Sequence, residues 1–298
     1  MQRTAEMGMI LVTILWGASF VTGKLILAST TPLYYTSIRF IGAAIVLGLI
    51  FHKRCKKLDK STLIAGLLIG AAVAVGYIVQ TVGLNYTTAS KAGFISGLYV
   101  VMVPVMVCVI RRSLPRVNEL IGVLLATIGL GVLSLNGSFS MGFGDLMIFV
   151  SAVMFATSII LISRFAKDCD PILLTIIQIA VTAVTALIFA IMLEPPLLIE
   201  VFDTNLILLL LFTIFFGTAV NTAVQNWAQS KISATTTSLI LVLEPVFAGV
   251  FGFLLLHDPL GLKEVFGSCL IITGMLITLL LTPNTSPPRS AQTAHGNI

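Results

Sequence analysis

The stretch Pro171–Leu193, PILLTIIQIAVTAVTALIFAIML, decides the fold: its 23 residues include no ionisable side chain. At 1.5 Å rise per residue, such a run crosses a hydrocarbon core of about 30 Å as a single helix. Its opening pattern, Pro171 with Thr175 four residues on, also occurs at Pro32 and Thr36 in an earlier apolar run. Over the whole chain of 298 residues, 57% are apolar and 10% are charged, whereas an ordinary soluble domain is about 25% charged. That balance excludes a water-facing surface.

Breaking the chain at charged, Pro and Asn/Gly clusters predicts spans at 7–28, 32–51, 61–83, 92–110, 118–135, 145–163, 171–193, 205–227, 234–256 and 263–282. The expected fold is an all-α integral membrane protein of ten transmembrane helices. The first run is expected to be retained, since it contains Lys24 and lacks an A-x-A cleavage site. The polar tail, 283–298, is expected to be disordered and cytoplasmic.

Positively charged short loops stay in the cytoplasm. With both termini inside, every Lys and Arg except Lys24, Arg39, Lys91 and Lys263 falls on the cytoplasmic side, while the longest outside loop carries Glu194, Glu200 and Asp203. The net charge of +5 is spread over short clusters between apolar runs, which is topology signalling and not a nucleic-acid footprint. Cys55, Cys108, Cys169 and Cys269 have no metal-ligand spacing and are expected as free thiols.

The second half echoes the first. A shift of 139, from Pro32 to Pro171, also carries Thr36 onto Thr175 and Ser19 onto Ser158. A shift of 141, from Pro104 to Pro245, pairs Gln80 with Asn221, Thr81 with Thr222, Asn85 with Asn226 and Tyr86 with Trp227. In the last span the shift is 145, and Glu119, Gly122 and Gly129 meet Glu264, Gly267 and Gly274. Five crossings per half is an odd number, so the second half enters the membrane from the opposite side. The expected organisation is two inverted five-helix repeats, 1–140 and 141–282. Such repeats have two nearly equivalent packings around a midplane site, the geometry of alternating access.

Trp16-Gly17-Ala18-Ser19-Phe20, Arg39-Phe40 and Leu243-Glu244-Pro245, in that order over ten spans, resemble the EamA family of the drug/metabolite transporter superfamily. The resemblance covers nearly everything from Met7 to Leu281, including the stretch from Ala89 through Pro104. It implies a multi-pass carrier of a bacterial or archaeal inner membrane that exports amino acids, related metabolites or toxic compounds, without indicating which.

Glu244 lies about ten residues from either end of the ninth span, where a carboxylate is costly unless paired or wetted. It is the first candidate for the substrate or ion pathway, as a carboxyl that takes up and releases a proton. The competing role is a fixed carboxylate that caps broken backbone or pairs with a base. Pro245 frees a carbonyl one turn earlier and permits a break there, and Pro104 is its counterpart as a candidate hinge. Arg39 either snorkels to the headgroups, as Lys24 does, or turns inward to hold a substrate carboxylate.

Tyr77, Gln80 and Thr81 in the third span, with Thr218, Asn221, Thr222 and Gln225 in the eighth, form matching polar faces that line a cavity or bond helices together. Trp16, Ser19 and Tyr99 complete the candidate pathway, the two aromatics as flat apolar walls or as packing. Gly66 with Gly70, and Gly93 with Gly97, are close-approach pairs for helix packing, and a lipid-facing pair of this kind leaves a homodimer open. No Ser/His pair or metal-ligand cluster lies at membrane depth, and Gly23-Lys24 is not a phosphate loop, so neither an enzyme nor a cofactor is expected. The reading is a secondary transporter that exports amino acids or related small metabolites by alternating access, with protons as a candidate coupling ion. An uncoupled facilitator or a channel for the same solutes is the alternative.

Overall fold

The computed structural model describes residues 2–87, 92, 95–112, 114–134, 142–196, 204–257 and 261–281, and these contain helices and no strand. Besides one short helical turn at His52–Cys55, the helices are α1 (Gln2–Ile26), α2 (Pro32–Ile50), α3 (Lys60–Leu84), α4 (Tyr99–Arg111), α5 (Val117–Ser134), α6 (Phe143–Phe165), α7 (Pro171–Leu193), α8 (Thr204–Gln229), α9 (Ala234–Leu256) and α10 (Leu262–Leu281). Eight of them are long and apolar enough to cross a membrane, whereas α4 and α5 belong to the shorter apolar class. The expected tail, together with Lys91, Gly93, Glu200 and Asp203, lies outside the described residues.

The starts and stops follow from local chemistry. Pro32 and Pro171 each open a helix where the missing N–H costs nothing. Asp170 accepts from the Ile172 N–H at 2.8 Å, and Asp59 accepts from the Thr62 N–H at 3.1 Å. The two hydrogen bonds from Thr62 hold the Asp59 carboxyl below its ordinary range. That cap therefore contributes above the unfolded-state pKa and is lost only as pH falls through the lowered folded value. Arg112 and His257 end α4 and α9 in the left-handed region, at φ 50° and 59°. An L side chain there costs about 1 to 2 kcal/mol that glycine avoids. Replacing His257 with Gly is expected to stabilise the protein by about 1 kcal/mol, read as a higher melting temperature in detergent.

Helix pairing is dense and antiparallel at two places. The α5 and α10 helices cross through four glycines: Gly122 faces Gly274, and Gly129 faces Gly267, so closely that backbone carbonyl oxygens fill the space a Cβ would need. The α2 and α7 helices pack along their full length, with Phe40, Ala43 and Leu47 against Ile179 and Ala183, and Leu33 against Ala190. Both ends of that pair are fastened. Arg54, just beyond α2, bonds Asp170 at 3.1 Å, while Glu194, just beyond α7, accepts from the Thr31 hydroxyl and from the N–H groups of Leu33 (2.9 Å) and Tyr34 (3.0 Å). The sequence placed Glu194 among the outside charges; it is the cap of α2.

Two further crossings resemble each other. Gly76 of α3 lies under Phe155 of α6, and Gly217 of α8 receives α1, whose Trp16 indole N–H donates to the Gly217 carbonyl at 3.1 Å. Gly66 and Gly70 admit Ile177 and Val181 of α7, and Gly97 admits Leu130. Meanwhile large apolar side chains such as Leu49, Val109, Ile191 and Leu280 stand exposed around the outside. A belt of that kind needs lipid as its solvent.

Two helices are irregular. In α8 the segment Thr213–Val220 is a π-helix, and its loosened carbonyls find side-chain donors: Thr218 bonds the Thr213 carbonyl at 2.9 Å, and Trp16 bonds that of Gly217. The α9 helix runs from Ala234 to Leu241, breaks at Val242 and Leu243, and resumes at Glu244. Pro245 is the cause, because it has no N–H to offer the Leu241 carbonyl.

Candidate functional site

The broken α9 places Glu244 at the first position of its second segment. From there its carboxylate is within electrostatic reach of Arg39 on α2, Tyr77 on α3 and Tyr99 at the start of α4. All four side chains are half-buried by surface area although they lie deep among the helices. Their partial exposure leaves room beside these side chains between the helices. Glu244 has neither an ion pair nor a hydrogen bond among the described residues, so it is not a fixed cap of broken backbone.

Arg39 does not snorkel. Its guanidinium lies over three rings, Phe40 at 5.0 Å, Tyr35 at 5.4 Å and Tyr77 at 5.5 Å, and donates to the Tyr77 hydroxyl at 3.1 Å. Its Nε is buried with no partner among the described residues, as is the Tyr35 hydroxyl. Tyr77 is itself held edge-on by Phe40 at 5.5 Å and Phe155 at 5.3 Å. Lys24, by contrast, is exposed.

The other sequence candidates divide between cavity and packing. Gln80 donates to Ser96 at 3.1 Å, tying α3 to the approach of α4. Trp16, Ser19, Thr218 and Asn221 gather at the crossing of α1 and α8: Ser19 bonds the Leu15 carbonyl, and Asn221 donates to the Val12 carbonyl at 3.2 Å. Trp16 and Asn221 fasten α1 to α8, whereas Ser19 and Thr218 bond carbonyls of their own helices. Thr81 is half-buried and Thr222 and Gln225 are buried; none of the three has a hydrogen-bond partner among the described residues. Pro104 lies inside α4 and Pro245 directly follows Glu244.

Sequence reasoning missed Tyr35, one helical turn before Arg39, and quoted Phe40 only as part of the Arg39-Phe40 motif and not as a site residue. It also missed a buried polar cluster in which Asn226 donates to Thr175 at 2.9 Å and to Gln178 at 3.1 Å. Among the described residues no group of three or more His, Cys, Asp and Glu side chains converges as a metal site.

Eight helices among the described residues long and apolar enough to span a membrane, together with an apolar exterior, make this a multi-pass membrane protein. The EamA-like transporter family matches it twice, over residues 3–135 and 142–280. An uncharacterized transporter of Archaeoglobus fulgidus is 34% identical over 276 residues, covering 93% of this chain and 86% of its own. The uncharacterized transporter YoaV of Bacillus subtilis is 27% identical over 91% of this chain and 95% of its own. A crystal structure with 15% identity and a TM-score of 0.81, covering 94% of this chain and 99% of that one, shares the fold. The chain belongs to the EamA-like transporter family; it is a membrane transporter and not an enzyme.

Proposed function

We propose that the protein is a ten-helix exporter of amino acids or related small metabolites, working by alternating access between two inverted halves, 1–140 and 141–282, with Glu244 exchanging protons. Both termini lie in the cytoplasm of a bacterium or archaeon, as the Lys and Arg distribution argues. In support of two halves, the family matches twice in succession. The helix pairs also exchange with their counterparts: α3 with α6 for α8 with α1, and α3 with α7 for α8 with α2, while α5 with α10 and α2 with α7 map onto themselves. With the turn that begins at Ile95, α4 covers about 25 Å at 1.5 Å per residue, enough for a crossing with slight local thinning.

The observation that carries the reading is Glu244, with no hydrogen bond or ion pair among the described residues, within electrostatic reach of the ring-caged Arg39. Glu244 has no fixed partner and Arg39 is held only by rings and a phenol, so a small solute with an anionic group, together with a proton, suits both. The supported role of Arg39 is to receive a cargo carboxylate through a two-pronged hydrogen bond.

Purified protein in liposomes, offered a panel of L-amino acids with and without a pH gradient, tests the reading. The expected result is saturable uptake, exchange against trapped cargo, and acceleration by the gradient. Saturable flux that ignores the gradient identifies an uncoupled facilitator. Flux that neither saturates nor exchanges identifies a channel.

A further inference from the structure

Arg39 and Glu244 lie within electrostatic reach of each other, yet among the described residues they do not form an ion pair. An arginine has four rotatable side-chain bonds and a charge that low dielectric amplifies, so an unrestrained guanidinium turns toward the nearest free carboxylate. Something holds this one back. Three rings surround it, and the third, Tyr77, also accepts its hydrogen bond and is locked in turn by Phe40 and Phe155.

The repeat supplies an internal comparison. The positions equivalent to Tyr35, Arg39 and Phe40 in the second half are Leu174, Gln178 and Ile179, and that of Tyr77 is Thr218. There the fold closes without an aromatic box, and the neutral Gln178 simply accepts from Asn226. The box therefore accompanies the charge and is not a requirement of helix packing.

We propose that Tyr35, Phe40 and Tyr77 are positioning residues: together they clamp the Arg39 guanidinium to one wall and hold it off Glu244, so that its charge stays available to the anionic group of the cargo. The proposal deepens the transport reading above, on which its reference to cargo rests. Without the box, Arg39 and Glu244 neutralise each other and the site closes on itself.

A double-mutant cycle on the purified full-length protein, in detergent and without any solute, tests this. Melting temperatures are measured for Arg39→Gln, Glu244→Gln and both together, in the native background and with Tyr35→Leu plus Phe40→Leu. Natively the two shifts are expected to add to within about 2 °C, because the charges are kept apart. Without the rings they are expected to fail to add by about 4 °C or more, and Phe40→Tyr, which keeps a ring, is expected to restore additivity. If the paired leucine variant does not fold, Phe40→Leu alone gives the same reading at smaller size. Shifts that add in both backgrounds, or that are already strongly coupled in the native one, overturn the proposal. Because the cycle needs no cargo, its outcome is separate from that of the liposome experiment.

Discussion

Replacing Glu244 with Gln is expected to reduce gradient-driven uptake in liposomes to the level of empty vesicles. Exchange of cargo down its own gradient is expected to persist. The substitution keeps the shape and a hydrogen-bonding amide but removes the only carboxyl that faces Arg39 from α9. Among the described residues Glu244 has no fixed partner, so its charge is free to be neutralised by a proton in one phase of the cycle and exposed in another. A carboxylate left permanently ionised near mid-membrane carries a penalty of several kcal/mol, and a loadable proton relieves it. Gradient-driven uptake that survives the substitution removes Glu244 from the coupling mechanism.

The largest structural effect is expected at the glycine crossing of α5 and α10. A Cβ built on Gly129 stands 2.6 Å from the Gly267 carbonyl oxygen and 3.0 Å from the Ile271 backbone nitrogen. Neither is a flexible side chain that can swing aside, so Gly129→Leu must push the helices apart. The expected cost is about 3 kcal/mol or more, a fall of about 6 °C or more in melting temperature, with a matching loss of folded protein in the membrane. Gly48→Leu is the control, since nothing lies within 4 Å of that position. Equal tolerance of both substitutions would mean that the crossing is not as tight as described.

Much of the fold was legible because the membrane sets a length. Spans of about twenty apolar residues, the openings at Pro32 and Pro171 and the break before Pro245 each follow from one local rule. The close helix crossings at Gly66 and Gly70 were legible because small residues four apart leave room for a neighbouring helix wherever they occur. The π-helical stretch of α8 was not, since it depends on Trp16 and Thr218 satisfying loosened carbonyls, a matter of neighbours and not of pattern.

The site was half legible for a related reason. Hydropathy registers that a charge sits in an apolar run but is silent on what that charge touches. Glu244, far from both ends of its helix, could only face inward. Arg39 lies nearer an end, where a long side chain can reach the headgroups, and its three rings decide the matter. Asn221 and Ser19 read equally well as cavity or glue; the bond to the Val12 carbonyl of α1 makes Asn221 glue, while Ser19 bonds the Leu15 carbonyl of its own helix.

Access to the cavity from both faces of the membrane is the central claim. In a protein with Cys55, Cys108, Cys169 and Cys269 changed to Ser, a single cysteine at Thr81 or at Thr222 is exposed to a membrane-impermeant thiol reagent from either side of sealed vesicles. Labelling is predicted from both sides at each position, with saturating cargo on one side suppressing labelling from the other. Labelling from one side only, whatever the cargo, would contradict alternating access.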